Sequence, residues 1–597
     1  MNNMISDDLL LGVNKPARYI GEEWNVSRKD FDKAGIKFAL CFPDLYEVGM
    51  SNLGLRIIYA VLNNLADVSC ERFFSPGTDL EKALRDNQKE IFSLESKRRL
   101  KEFDIIGFSL AYELGYTNVL NILDLGGIPL KSSGRAEKFP LVIAGGPCAL
   151  NPEPMHEFFD LFVVGEAEEA ILEIIDTYRK FKEQFKAAKI KKQDLLLKFS
   201  GIEGVYVPSL YEVKYGPEGK IESFKPQING LAQKIKKRLV KDFDNAYFPV
   251  DWLVPYIQTV HDRITLEIMR GCPNQCRFCQ ARQQYFPFRQ RKIGNLLNLA
   301  LQSYKRTGYE DISLIGLSVS DYPDIEELLE KLIGLFKEKA VGLSLPSLKP
   351  KAMVGNMSSL IATIKKTGLT FAPEAASDRL RHILAKDFDI PVFFKAVEQA
   401  YLSGYRHLKL YFMIGLPFEA QKDLDGIVEF AQQVSELRRS IAKRPGQVNI
   451  SINTLIPKPH TPFQWLAMED LESVKYKQDY LKKKTLNKRK LKLSFHNRYM
   501  SFLEGVFSRG DRRLSEVILS AFKKGARFDA WDDYFKFDIW LDAFKEGNIN
   551  PDFYLQKRGA EEFLPWDFLD IGLPKEALLR EFNTISDLNV PAQAQAR

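Results

Sequence analysis

Residues 269–281, MRGCPNQCRFCQA, set Cys272, Cys276 and Cys279 in the order CxxxCxxC. Three thiols this close together cannot all turn into a core. Iron–sulfur clusters are held by cysteine thiolates at such short spacings, and three of them fill three corners of a four-iron cluster, leaving one iron open to a reactant. A zinc knuckle is the other chemistry for such a loop, but it closes with four Cys or His ligands on a second CxxC or HxxxH limb. No such limb follows, and His261 lies upstream, off any ligand spacing.

An aromatic residue, Phe278, precedes the third cysteine. The motif ends the apolar run 264–269 and is followed by alternating strand and helix patterns. With these flanks the chain resembles the radical S-adenosylmethionine (SAM) superfamily. The resemblance implies a four-iron four-sulfur cluster on the three cysteines, with SAM chelated to the open iron through its amino and carboxylate groups. It further implies reductive cleavage of SAM to methionine and a 5′-deoxyadenosyl radical, hydrogen abstraction from a substrate, and a reductant such as flavodoxin or ferredoxin as partner.

A chain of 597 residues is too long for one core, which rarely grows past ~250–300 residues. Its formal charge of +7 is small for that length and does not by itself announce nucleic acid. Six cysteines, three of them far upstream of the motif, are no disulfide framework, and the start MNNMISDDLL lacks a basic and then apolar leader. No apolar run approaches the ~18 residues of a membrane span. The expectation is a cytoplasmic, oxygen-sensitive protein with no membrane partner.

Within residues 1–180, apolar runs at 36–41, 68–70, 103–110, 141–145 and 161–165 alternate with helical patterns, the first helix starting near Ser51 as N-cap. This predicts an α/β domain, a Rossmann-like doubly wound parallel sheet, with ligands at the carboxyl ends of its strands. Those ends carry Asp44, Tyr46 and Gly49, then Ser109, then Gly145 and Gly146. The set resembles the cobalamin-binding domains that precede some radical SAM modules, whose pattern is DxHxxG, a serine and a GG pair. Tyr46 stands in place of the histidine, so the resemblance implies cobalamin without a lower axial imidazole. A Rossmann-like domain with glycine turns and no ligand is the competing reading. Cys41, Cys70 and Cys148 are expected near one edge of this sheet. Core packing is the ordinary meaning of such thiols, and a second cluster of the methylthiotransferase kind is the alternative.

Residues 181–255 read as a linker with a basic helical stretch and a hairpin about GPEG. From 256 to 470, six predicted strands at 264–269, 312–318, 341–345, 369–372, 408–414 and 448–455 resemble the partial (β/α)6 barrel of the radical SAM core, with chemistry at the strands' carboxyl ends. The resemblance implies Ser318, Ser320 and Asp321 at the SAM amino group, although the family's GGE is absent. It implies Glu374 at the ribose, and Gly415, Pro417 and Ile456 at the adenine pocket, with Phe278 beside the cluster.

Residues 471–597 are expected to form a mainly helical extension. Between 475 and 492 there are nine Lys and Arg against one acid, Asp479. That run suits RNA or a ribosomal component, but a solvated helix face is the commoner meaning. The function expected is a radical SAM enzyme, in its finer form a cobalamin-dependent methyl transfer to an unactivated carbon. The rivals are a methylthiotransferase-like enzyme and a non-enzymatic iron–sulfur factor bound to RNA or the ribosome.

Overall fold

The computed structural model describes residues 7–136, 139–344, 349 and 369–588. In the N-terminal sheet, β1 (Ile36–Phe42), β2 (Val68–Phe74), β3 (Ile105–Ser109), β4 (Leu141–Gly145) and β5 (Leu161–Val163) run parallel in the order β2-β1-β3-β4-β5, and β6 (Val205–Tyr206) adds an antiparallel edge. Helices cover both faces, which is why IKFALCF and LVIAG are almost continuously apolar. β2 runs seven residues, beyond the expected 68–70, because its charges are compensated: buried Arg72 pairs with Glu23 at 2.7 Å and Glu95 at 2.6 Å. α1 (Leu53–Asn63), α2 (Tyr116–Leu125) and α3 (Ala167–Lys186) pack on this sheet or cross over it. The N-cap of α1 is Asn52, which accepts from the Leu55 amide, while Ser51 donates to the Glu47 carbonyl instead. α3 crosses the expected boundary at 180, and β6 carries the sheet to residue 206.

A hairpin of β7 (Tyr211–Tyr215) and β8 (Ile221–Pro226) follows, then β9 (Ile235–Lys236). The barrel begins with β10 (Ile264–Glu267). β11 (Met269–Arg270) and β12 (Arg289–Gln290) pair antiparallel and pinch off the cysteine loop, from which α4 (Gln280–Gln284) departs. α5 (Ile293–Thr307), β13 (Asp311–Ile315), α6 (Ile325–Phe336), β14 (Gly342–Ser344), β15 (Leu369–Glu374), α7 (Asp378–Ile383), α8 (Ile390–Leu402), β16 (His407–Ile414), α9 (Gln421–Ala442) and β17 (Gln447–Thr454) continue the pattern. Each of the six expected strands is present, although Leu345, expected in the third, lies outside the described residues. α10 (Leu471–Thr485) and β18 (Leu491–Phe495) add a seventh strand, parallel to β17, so the barrel runs to residue 495 and not to 470. The strands are ordered β10-β13-β14 and β15-β16-β17-β18.

Beyond it lie α11 (Arg498–Arg509), α12 (Leu514–Lys523), α13 (Phe537–Glu546), β19 (Leu569–Asp570), which pairs parallel with β9, and α14 (Lys575–Leu588). The extension is mainly helical but is no separate body. Val506, Phe507, Ile518 and Trp540 share one core with the N-terminal sheet. Buried polar ties join the two: Thr117 donates to Asp529 at 2.6 Å, and Asn151 donates to the carbonyls of Ser508 and Gly510. Among the described residues, no helix is long and apolar enough to cross a membrane.

Candidate active site

The cysteine loop leaves β11 through Gly271, whose φ of +78° and close approach to the Pro287 carbonyl exclude a side chain. Cys272, Cys276 and Cys279 are all half-exposed on it and lie within reach of one another's charge. Burial pushes the Cys276 thiol up to about 11, against the pull of the Lys386 ammonium. The sulfurs do not converge on one point: among the described residues, no three His, Cys, Asp or Glu side chains are gathered closely enough for a single ion. A cubane needs no such convergence, because each of three thiolates takes its own iron. Three soft donors on one loop therefore fit a four-iron cluster.

Arg277 anchors the loop by donating to the His382 and Ile383 carbonyls at the end of α7, both at 2.9 Å. Phe278 is a packing residue at the edge of a cluster that includes Ile383, Leu384, Met413 and Ile585, with Phe582 of α14 packed against the same cluster. Asn274, which motif reading passed over, donates to Cys272 Sγ at 3.1 Å and to Asp321 at 2.7 Å, and accepts from Lys349 at 2.6 Å. Burial works against the Asp321 carboxylate, but hydrogen bonds from Lys349, Ser318 and Asn274 hold its pKa below the ordinary value. Ser320 Oγ accepts from the Lys349 amide at 3.2 Å. The expected trio Ser318, Ser320 and Asp321 is thus gathered beside Cys272. On the opposite side, Glu374 pairs with Lys386 at 2.8 Å, and that ammonium also lies over the Phe278 ring. Lys386 gave no signal in the sequence, since it follows a helix rather than a strand.

Gly415 and Pro417 line a pocket of about 190 Å³ with Leu466, Ala467, Met468 and Glu469. Ile456, expected with them, packs instead against the core shared by the two ends of the chain.

A larger cavity, about 410 Å³, runs between the N-terminal sheet and helices α1 and α3. Ile57, Ile58, Ile143 and Ile171 make its walls apolar, while Ser109, Gly145 and Gly146 line it at the strand ends. It opens onto Met269 and Gly271 of the cysteine loop and Gly316 after β13. Arg270 fixes this mouth: its guanidinium pairs with Glu168 at 2.5 Å, Glu267 at 2.9 Å and Glu166 at 3.4 Å, joining the turn after β5 to the barrel. Glu166 and Glu168 lie in the run GEAEE just beyond β5, a cluster of acids at a strand end that motif reading passed over.

The remaining expected ligand positions are elsewhere. Asp44 accepts from the Trp531 indole at 3.0 Å, Gly49 is pressed against the Phe74 ring, and the Tyr46 hydroxyl donates to Glu23 at 2.8 Å. Burial and the Glu23 charge raise the Tyr46 pKa, so the phenol stays neutral. None of the three lines the cavity. Nor do Cys41, Cys70 and Cys148 share an edge: Cys41 is opposite Phe73 late in β1, Cys70 is opposite Phe38 nearer the amino end, and Cys148 follows β4 beside Tyr116. Burial raises all three thiols.

Residues 54–208 match the family described as "Radical SAM proteins, N-terminal", and residues 266–431 match the "Radical SAM superfamily". The uncharacterized protein MJ0966 of Methanocaldococcus jannaschii is 30% identical over 505 residues, covering 83% of this chain and 95% of that protein. Among solved structures, the radical SAM methyltransferase TsrM of Kitasatospora setae, with cobalamin and a [4Fe-4S] cluster bound, is 12% identical with a TM-score of 0.46, covering 72% of this chain and 77% of its own. The apo cobalamin-dependent radical enzyme OxsB is 13% identical with a TM-score of 0.46, covering 93% and 84%.

Proposed function

This chain belongs to the radical SAM superfamily, and on that premise we propose that it is an enzyme that transfers a methyl group with the help of a corrinoid seated in the cavity beside the cysteine loop. One observation carries the reading. The cavity runs from Ser109 and Gly145–Gly146 straight to Met269 and Gly271, so a group held in it borders the loop that would bind the cluster.

The residues fit such a group. At about 410 Å³ the cavity has room for the base and nucleotide arm of a corrinoid but not for the whole molecule, whose macrocycle would lie at the mouth by the cysteine loop. Its apolar walls suit the flat base and nucleotide of a corrinoid whose base has left the metal. The loop after β1 offers no imidazole, and Tyr46 is held by Glu23. When bound, the cluster with SAM supplies reductive cleavage to methionine and a 5′-deoxyadenosyl radical, and the corrinoid supplies a methyl carrier.

The work of the chain is to hold and orient. Cys272, Cys276 and Cys279 would hold the irons, Asn274 and Asp321 order the loop around Cys272, and Arg270 ties the loop to the cavity wall. Phe278 under α14 keeps water from that side.

The test is made on anaerobically reconstituted, reduced protein. It is expected to yield methionine and 5′-deoxyadenosine from SAM, and to take up hydroxocobalamin in a base-off form insensitive to Tyr46→Phe. A side chain at Gly145 meets its first neighbours only at 3.6 Å, so Gly145→Leu fills the cavity without backbone strain. That variant is expected to lose corrinoid uptake and keep SAM cleavage. Uptake unchanged in Gly145→Leu removes the corrinoid from this cavity.

A further inference from the structure

A barrel of parallel strands ordinarily fills its interior with layers of branched apolar side chains. The inner face of this one is polar. Leu408, Leu410, Val448, Ile450 and Leu491 are buried in the core shared with α8, α9 and α10. Side chains alternate along a strand, so the residues between them turn into the lumen. By the strand register, Thr370, Lys409, Asn449 and Lys492 form one row across β15–β18, and Tyr411, Ser451 and Ser494 form the next. Lys409, Tyr411, Asn449 and Ser451 are half-exposed, and Lys492 and Ser494 are exposed.

The first row carries two cations. Lys409 and Lys492 stand two strands apart, about 10 Å at the usual spacing, with Asn449 between them. Among the described residues, no ion pair joins either lysine to a carboxylate. Asn449 Oδ1 is buried and without a hydrogen-bond partner. Lys409 lays its ammonium over the Tyr411 ring at 4.5 Å, which directs it along the lumen rather than out to solvent. Like charges on one sheet face destabilise it, a cost that an anionic guest relieves. Of the basic run, Lys477, Lys482 and Lys484 on α10 pair with Glu419 and Glu469, Asp479 and Asp425; Lys492, like the exposed Lys475, Lys483 and Lys490, has no carboxylate partner among the described residues, and differs from them in lying on β18 in the row that holds Lys409.

At its other end the same face meets the cysteine loop. Met413, next after Tyr411 on that face, packs in one cluster with Phe278 and Leu384. Four residues of strand separate Lys409 from Met413, about 13 Å.

We propose that Lys409 and Lys492 form an anion clamp within this lumen, an inference that rests on the radical SAM reading, and that the substrate is an elongated polar molecule ending in a phosphate or carboxylate. The anionic end is held between Lys409 and Lys492, its polar middle meets Ser451, Ser494 and Tyr411, and its reacting carbon lies at the Met413 level. A free amino acid is too short to span that distance.

The probes are glycerol 3-phosphate and glutarate, titrated calorimetrically into the anaerobic, cluster-loaded full chain. At least one is expected to bind saturably, and the tighter of the two tells phosphate from carboxylate. Lys409→Met and Lys492→Met are each expected to weaken that binding at least tenfold. Lys492→Arg is expected to restore it, and Lys475→Met, on the exposed face of α10, to leave it unchanged. SAM cleavage without substrate is measured on Lys475→Met as well and is expected to match the parent. Absence of binding by both probes, or binding as tight in both methionine variants as in the parent, overturns the proposal. Intact anion binding in a parent that makes no deoxyadenosine leaves the anion site standing and counts against the radical reading instead.

Discussion

Asn274 is a single amide on which three neighbours depend. It gives a hydrogen bond to Cys272 Sγ, orders Asp321, and is itself polarised by the Lys349 ammonium. Hydrogen bonds onto cluster sulfurs withdraw electron density and raise the reduction potential. Asn274→Leu removes the donor with little change of bulk, and is expected to lower the cluster's potential by about 59 mV, a tenfold shift in the one-electron equilibrium. Lys349→Met, which leaves Asp321 its hydrogen bonds but takes away its cation, is expected to shift it the same way. A redox titration followed by electron paramagnetic resonance measures both. A fully iron-loaded Asn274→Leu protein with an unmoved potential would show that the bond is only a loop tie. Iron content in parent and variants is expected at about four per chain, since the other three thiols are buried apart.

Among the elements, α14 has the most specific task. Ile585 is 3% exposed and packs with Phe582 onto Phe278, Leu380 and Leu384, while Arg277 reaches Thr584 at 3.3 Å. Truncating a buried isoleucine to alanine costs about 2–5 kcal/mol. Leu578 against Trp465 and Trp566, with the Lys575–Asp567 and Arg282–Glu581 pairs, holds the rest of the helix, so the loss falls on the turn that carries Ile585 beside the cysteine loop. Ile585→Ala is therefore expected to bleach its cluster several-fold faster in air while the main unfolding midpoint hardly moves, as stopped-flow absorbance and urea titration would record. The barrel strands were legible because each is an apolar run ending in a polar turn. β18 was not, because LKLSF closes a run of basic residues and reads as more solvated surface. Asp44, Tyr46 and Gly49 matched a ligand pattern by spacing, but spacing says nothing of direction, and Tyr46 turns to Glu23. Asn274 stood inside the motif yet was unreadable, because its partners are 47 and 75 residues away.

Across the whole molecule, a buried histidine, His460, and a half-buried one, His156, stand where the chain's two ends meet. Burial holds His460 down to about 4, with its Nε2 2.9 Å from the Leu150 carbonyl. Burial and the Arg512 charge hold His156 down to about 3, beside Ser515. An unfolded chain protonates both near 6.5, the folded one only far below, so between pH 6.5 and 4 the unfolded state binds more protons and stability falls as the pH falls. For His460 the loss is on the order of 3 kcal/mol, and it levels off below pH 4. Urea midpoints at pH 7 and pH 4.5 are expected to lie closer together in His460→Gln than in the parent. The core those histidines border joins residues as far apart as Leu9 and Ile571, with the barrel threaded between its two halves. On the ribosome, at ~5–20 residues per second, the N-terminal sheet emerges roughly 20–70 seconds before the helices that cover it. It must wait, half-clothed, while the barrel matures first, and a nascent chain stopped short of Arg498 leaves an open greasy flank for a chaperone to hold.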